Sequence, residues 1–216
     1  MRIDYGLQQL LPHHLSDLLN SGLSERTIRQ WHPYSIEADQ RWVLNQLGFG
    51  HLTPPALALP ILVPGQQEPD LNSVILKADE PRRDNKGKVI KYETRSGSRN
   101  RLHVPLSCQS LLGDISVPVW ITEGQKKAEK AAQEGLCCIA LPGVWNWLVR
   151  ISADASVPLA DFDAITLKDR EIVIAFDSDS ASNPSVKLAS RRLADFLVKR
   201  GAHAFSVQLP ELDNAA

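Results

Sequence analysis

Hydrophobic residues near the start of the chain fall at helical intervals. Leu10, Leu11, Leu15, Leu18 and Leu19 recur at spacings that give a helix an apolar stripe. Gly22 is a natural stop, and Ser24 a natural N-cap for a second helix at Glu25-Arg26-Thr27-Ile28. The passage from His14 to Ile28 thus looks like a helix-turn-helix, a pattern shared by packing αα-hairpins and by DNA readers. A third helix is predicted from Ala38 to Leu47, ended by Gly48. Beyond residue 50 the character changes. Prolines gather at 54, 55, 60, 64, 69 and 81, and short β-type runs occupy Ala58–Val63, Ser73–Ala78 and Val89–Tyr92. The polar link Asp79–Lys88 reads as a hairpin loop or a mobile flap. From residue 117 the periods alternate. Strands are predicted at 117–122, 137–141, 171–176 and 203–209, and helices at 124–134, near 144–151 and at 184–200, the last announced by Asn183-Pro184. Such alternation with short links predicts a parallel or mostly parallel sheet covered by helices. The expected fold class is α+β with a C-terminal α/β domain. The expected divisions are a helical region 1–50, a small β-rich subdomain 51–116 and the α/β domain 117–216.

Composition narrows the function classes. The chain carries 24 basic and 25 acidic residues, so any nucleic-acid binding must come from a local patch rather than a global charge. No apolar run approaches the roughly 20 residues of a membrane span, and Met1-Arg-Ile-Asp-Tyr5 lacks the apolar stretch of a secretory signal, so a cytoplasmic protein without membrane partners is expected. Cys108, Cys137 and Cys138 cannot build a disulfide framework. With no CxxC pair and the six histidines spread along the chain, no zinc is expected. Cys137 and Cys138 lie within an apolar run and read as small buried residues of a strand.

Two short stretches carry the candidate chemistry. Val119-Trp-Ile-Thr-Glu123-Gly124 and Ile172-Val-Ile-Ala-Phe-Asp177-Ser-Asp179 are each an apolar run that ends in carboxylate. An open α/β sheet presents ligands at the carboxyl ends of its strands. Side chains of an extended chain alternate with period two, so Asp177 and Asp179 point to the same side. Two close carboxylates are costly to ionise unless a cation lies between them. Glu123, Asp177 and Asp179 are therefore candidate ligands for magnesium, a hard cation that takes oxygen donors and often phosphate. Other roles compete: Glu123 as a helix-capping acid, and Asp179 or Ser180 as a cap in a solvated turn. Lys91, Arg95, Arg99 and Arg101 place four cations within eleven residues among Ser, Gly and Asn, suited to following a phosphate backbone or to a solvated loop. Lys126 and Lys127 fall in a first helical turn, where the helix dipole disfavours cations unless an anion is near. Trp145 and Trp147 are candidates either for stacking on a base or for core cover.

Thr122-Glu123-Gly124, Leu141-Pro142-Gly143 and Phe176-Asp177-Ser178-Asp179 resemble, in order and approximate spacing, the motifs of the Toprim domain shared by bacterial-type primases, topoisomerases and certain nucleases. The stretch Lys91-Tyr92 to Leu102 resembles the basic segment ahead of that domain in bacterial-type primase cores. Nearly the whole chain is similar to a primase-like domain family of plasmid, phage and mobile-element replication proteins. The resemblance implies that Glu123 is a metal ligand or general acid/base. It implies that Asp177 and Asp179 bind one or two magnesium or manganese ions, and that Lys91, Arg95, Arg99 and Arg101 grip template or nucleotide phosphates. The chain departs from the family in three places. It has no ligands for the N-terminal zinc module. Gln125-Lys126-Lys127 stands where another acid is typical. A further acidic motif is expected downstream of the final strand, with Asp213 as the candidate to stand in for it in a sequence that the natural protein is free to continue.

The implied function is a metal-dependent, primase-like nucleotidyltransferase acting on single-stranded DNA with nucleoside triphosphates. A replicative helicase is an implied partner. Two other functions fit the same motifs: a Toprim nuclease cutting DNA or RNA, and a non-catalytic nucleic-acid-binding module.

Overall fold

The computed structural model describes residues 10–153, 155–176 and 183–208. They form two compact units: residues 10–62 with Glu68–Arg99, and Val63–Gln67 with the described part of Asn100–Ala216.

The first unit contains α1 (Pro12–Asn20), α2 (Glu25–Trp31), β1 (Tyr34–Ile36), α3 (Arg41–Leu47), β2 (Ala56–Ile61), β3 (Asp70–Ala78) and β4 (Glu93–Thr94). Its sheet runs β1-β2-β3-β4, antiparallel throughout. Ser24 caps α2 as its sequence position suggests, its Oγ accepting the Thr27 N–H at 3.2 Å. Leu18 of α1 and Thr27, Ile28 and Trp31 of α2 are buried. The Trp31 indole N–H donates to the Pro60 carbonyl (2.8 Å), pinning α2 to the edge of β2. The helical repeat in this region thus records core burial. The third helix starts at Arg41 rather than Ala38 because a turn intervenes: Gln40 N–H donates to the Glu37 carbonyl and the Gln40 side chain accepts the Glu37 N–H. Tyr34, Ile36, Leu44, Leu47, Phe49, Leu52, Ala58, Val74 and Leu76 make the core.

The link after β3 is a hairpin loop. Asp84 Oδ1 accepts from the Lys86 and Lys88 amides (2.8 and 2.9 Å), and the Asp84 N–H returns to the Lys88 carbonyl. The strand predicted at Val89–Tyr92 contracts to a single bridge between Arg83 and Val89, followed by the two-residue β4. Here the polar residues that close the loop outcompete the β-forming ones beside it.

The second unit is built on β5 (Val119–Glu123), α4 (Gln125–Gln133), β6 (Cys137–Leu141), β7 (Leu148–Arg150), β8 (Ser156–Pro158), β9 (Glu171–Ile174), α5 (Pro184–Lys199) and β10 (His203–Ser206). Its main sheet has the order β10-β9-β5-β6, all parallel. Period-two alternation sorts its side chains into two layers. Val119, Ile121, Cys137, Ile139, Leu141, Ile172 and Ile174 join the large core that also contains Val186, Leu193 and Leu197 of α5. Cys138 and Ala140 turn the other way and pack with Ala128 of α4, flanked by Trp120 and Ala131. Helices therefore cover both faces, as parallel strands require.

The helix predicted near 144–151 does not form. Residues 148–150 are β7, paired antiparallel with β8. The segment Trp145-Asn-Trp-Leu-Val-Arg-Ile151 is rich in β-forming aromatic and branched residues. Trp147 is buried and stacks on Phe196 of α5 (centroids 5.5 Å apart), which fixes the segment as an extended cover over the core. Among the described residues, no helix is long and apolar enough to cross a membrane.

Cys108, Cys137 and Cys138 are buried free thiols. Burial pushes the Cys138 thiol up to about 12. At pH 8 such a thiol is ionised roughly three orders of magnitude less than an exposed cysteine. Cys138 is therefore expected to resist alkylation by iodoacetamide in the folded chain and to react fully in denaturant. Peptide mapping after a timed pulse checks this, and rapid native labelling of Cys138 would show that its strand opens freely.

Candidate nucleic-acid and metal site at the strand switch point

The order of the parallel sheet selects one position for a site. From β5 the chain steps outward to β6, then returns across β5 to place β9 on its other side and β10 beyond. Strand order reverses between β5 and β9, and crevices of open parallel sheets form at the carboxyl ends of the strands flanking such a reversal.

Glu123 is the last residue of β5, in register with Leu141 of β6. It is half-buried at the strand tip. Gly124 follows with φ 86° and ψ 136°, conformations open to glycine and unfavourable for other residues. A Cβ there would meet nothing within 4 Å, so the backbone angle and not crowding demands glycine. The Gly124 N–H donates to the Leu141 carbonyl (3.0 Å), fixing the turn from strand into helix. Gly124 is the N-cap of α4, whose first turn carries half-buried Lys126 and exposed Lys127.

On the other side of the reversal, Ile174 of β9 lies in register with Ile121, and the Ala175 N–H donates to the Ile121 carbonyl (2.8 Å). Phe176 is two residues past Ile174, as Glu123 is two past Ile121. Asp177 and Asp179 lie outside the described residues, as does Asp213. The Glu123 carboxylate, a hard oxygen donor, suits magnesium or manganese.

The other candidate cations divide between the two units. Lys91, Arg95 and Arg99 belong to the first and are exposed. Arg95 lies along Gly48, the left-handed C-cap of α3, and a Cβ at Gly48 would sit 2.8 Å from Arg95 Nε. A cation at a helix C-terminus is favourably placed against the helix dipole. The Ser98 hydroxyl and N–H both donate to the Arg95 carbonyl, tightening this segment into a turn. Arg101 belongs to the second unit, and its guanidinium holds Asp161 (Nε to both carboxylate oxygens, 3.0 Å). Trp147 is core, while half-buried Trp145 donates its indole N–H to Ser185 Oγ (3.1 Å) and carries the Arg192 guanidinium 5.6 Å from its ring centroid.

Two supporting residues have no signature in the sequence. His103 forms a bridge with Ala140 on the free side of β6, and its Nε2 lies 3.0 Å from Glu129 Oε1 of α4, both side chains being buried. The pair fastens α4 to the sheet edge. Partners 26 positions apart, one on a loop, leave no periodic trace. Arg170, fully buried, donates to the carbonyls of Val117, Leu112, Thr166 and Leu111.

Known proteins share this architecture. The Aquifex aeolicus primase (zinc-binding and RNA polymerase domains) matches over 95% of this chain and 51% of its own, with a TM-score of 0.63 at 14% identity. The DnaG catalytic core matches over 96% of this chain and 67% of its own (TM-score 0.62, 13% identity). A DnaG primase catalytic domain bound to ssDNA matches over 97% and 68% (TM-score 0.57, 14% identity). At these identities the likeness is one of fold. By sequence, an uncharacterized protein of Picosynechococcus sp. (strain ATCC 27264 / PCC 7002 / PR-6) is 28% identical over 134 residues, and the match spans 48% of this chain but 13% of that protein. Residues 108–215, half of the chain and nearly all of the parallel-sheet unit, match one family along its length. The chain belongs to the family described as Domain of unknown function (DUF3854).

Proposed function

We propose that this chain is a primase-like catalytic core of Toprim type, a metal-dependent nucleotidyltransferase acting on single-stranded DNA with nucleoside triphosphates. The observation that carries the reading is the reversal of strand order between β5 and β9, with Glu123 at the tip of β5, in a fold shared with DnaG primase catalytic cores. Residues 117–216 would be the Toprim domain. Glu123, with Asp177 and Asp179, would hold magnesium or manganese. Such a cation supplies neutralisation of triphosphate charge and activation of the attacking 3′-hydroxyl. The chain's own groups do the rest. The N-terminal turn of α4, with Lys126 and Lys127, offers positive potential to phosphate. Exposed Lys91, Arg95 and Arg99 of the first unit suit a nucleic-acid backbone, and so, in the second unit, does Arg101 with a guanidinium shared with Asp161. A structure of the same fold bound to ssDNA supports the choice of polymer. Replication of a plasmid, phage or other mobile element is the setting implied by the motif resemblance, with a replicative helicase as partner.

The test mixes the purified chain with single-stranded templates, labelled nucleoside triphosphates and Mg²⁺ or Mn²⁺. Labelled oligonucleotides are expected from the unaltered chain and none from Asp177→Ala. Template shortening without nucleotides would replace this reading with a nuclease. DNA binding indifferent to divalent ions, with neither product, would replace it with a non-catalytic module.

A further inference from the structure

The first unit gathers a second set of ligating side chains, unrelated in sequence to the acidic motifs. His13 and His14 occupy the first turn of α1, and Asp79 is the residue immediately after β3. His13 Nε2 lies 2.8 Å from Asp79 Oδ2, and His14 Nε2 lies 2.7 Å from Asp79 Oδ1. One potential ligand atom from each of the three residues falls within 4.8 Å of the others. From these distances we propose that His13, His14 and Asp79 form a binding site for a zinc-class divalent cation, with an open coordination position toward solvent.

The donor set selects the class of metal. Two imidazole nitrogens and one carboxylate oxygen suit zinc and its late first-row neighbours; magnesium and calcium prefer oxygen alone. Three protein ligands leave a fourth position for water, as in open zinc sites. The exposure pattern agrees: the His14 side chain is 5% exposed, Asp79 28% and His13 56%, so the cluster is closed on the His14 side and open on the His13 side.

The surroundings are built to orient the buried ligand. His14 Nδ1 lies 2.7 Å from Ser35 Oγ on β1, and Ser35 Oγ also accepts the Leu11 N–H at 2.7 Å. A hydroxyl has two lone pairs, so Ser35 can accept from both. The tautomer that donates Nδ1–H to Ser35 turns the Nε2 lone pair toward Asp79, an arrangement that a cation between them completes. Ligating histidines commonly have the second ring nitrogen held in this way. Asp79 is held through its backbone, whose N–H donates to the Pro55 carbonyl at 3.1 Å. The Asp79 charge also offsets the N-terminal dipole of α1, which by itself repels cations. Ligand atoms around tetrahedral zinc lie about 3.3 Å apart, given bonds of about 2.0–2.1 Å. Each N···O pair must therefore open by roughly half an ångström, a movement divided between the exposed His13 ring and the partly exposed Asp79 carboxylate. A bound cation would join the start of α1 to the end of β3.

The test titrates chelator-stripped protein with zinc by calorimetry and with cobalt by visible absorption, which reports tetrahedral coordination. One zinc per chain is expected. His13→Ala and Asp79→Asn should each weaken binding at least about 100-fold, and Ser35→Ala about 10–100-fold. His13 is exposed, so His13→Ala keeps the fold and decides the matter even if Asp79→Asn does not fold. Absence of stoichiometric binding, or binding unchanged in His13→Ala, would overturn the proposal. The readout is independent of nucleotide transfer, so it stands or falls apart from the reading of Glu123.

Discussion

Glu123→Gln is expected to lower oligonucleotide synthesis by at least about 100-fold while leaving the melting temperature within experimental error. The substitution keeps the shape of the side chain and removes its charge. Glu123 is half-buried at the end of β5, and an isosteric amide there keeps the packing, so folding is little affected. In its proposed role as a metal ligand, Glu123 is more sensitive. Altering even the groups that support ligands typically costs 10–100-fold in affinity or activity, and losing an anionic ligand costs at least as much. Raising the magnesium or manganese concentration should restore part of the rate if weakened metal binding is the cause. Full activity in Glu123→Gln at ordinary metal concentration would remove Glu123 from the chemistry and leave it as a capping acid.

The second large effect is on stability. Arg170→Met should destabilise the parallel-sheet unit by more than about 3 kcal/mol, because it removes several hydrogen bonds from a charged, fully buried donor, each worth about 1.5–3 kcal/mol. The guanidinium donates to Val117 (2.8 Å), Leu112 (2.5 Å) and Leu111 (2.8 Å), with a longer contact to Thr166 (3.5 Å). These carbonyls belong to the chain entering β5 and to the turns around it, so one side chain fastens the approaches to two central strands. Burial lowers its pKa from the usual arginine value, since a charge removed from water must be compensated by the dipoles around it. Methionine fills similar volume but donates nothing. For a chain of this length the loss corresponds to a fall in Tm of roughly 6–12 °C. Arg170→Lys should fall between the two, having the charge but not the planar fork that reaches several carbonyls at once. A Met variant as stable as the original chain would mean that the Arg170 hydrogen bonds add nothing beyond the backbone bonds and solvent that these carbonyls also have.

Some of this was legible in the linear sequence because its cause is local. Ser24 caps α2, Gly48 ends α3 and Pro184 opens α5, each through backbone chemistry acting within a few residues. The apolar runs at 119–123, 137–141 and 171–174 form strands because they are short, branched and bounded by turn residues. The placing of Glu123 at a strand tip followed from the same signal. Where local signals competed, the sequence misled. The segment near 144–151 has helical length but β-forming side chains, and the contact of Trp147 with Phe196 decides for the extended form.

The sequence by itself determined most of the strands and helices of the parallel-sheet unit, several of their caps, and which residues carry oxygen donors and cations, since these are properties of a few neighbouring residues. Only the tertiary structure decided which strands lie side by side. It places β9 against β5, opposite β6, and so creates the reversal at Glu123. It also decided which distant polar groups meet: Asp79 with His14 across 65 positions, Arg170 with Leu111 across 59, and His103 with Glu129 across 26. Such pairings are set by the packing of whole elements, whose free energy is shared among many side chains and leaves no periodic mark at the residues it brings together.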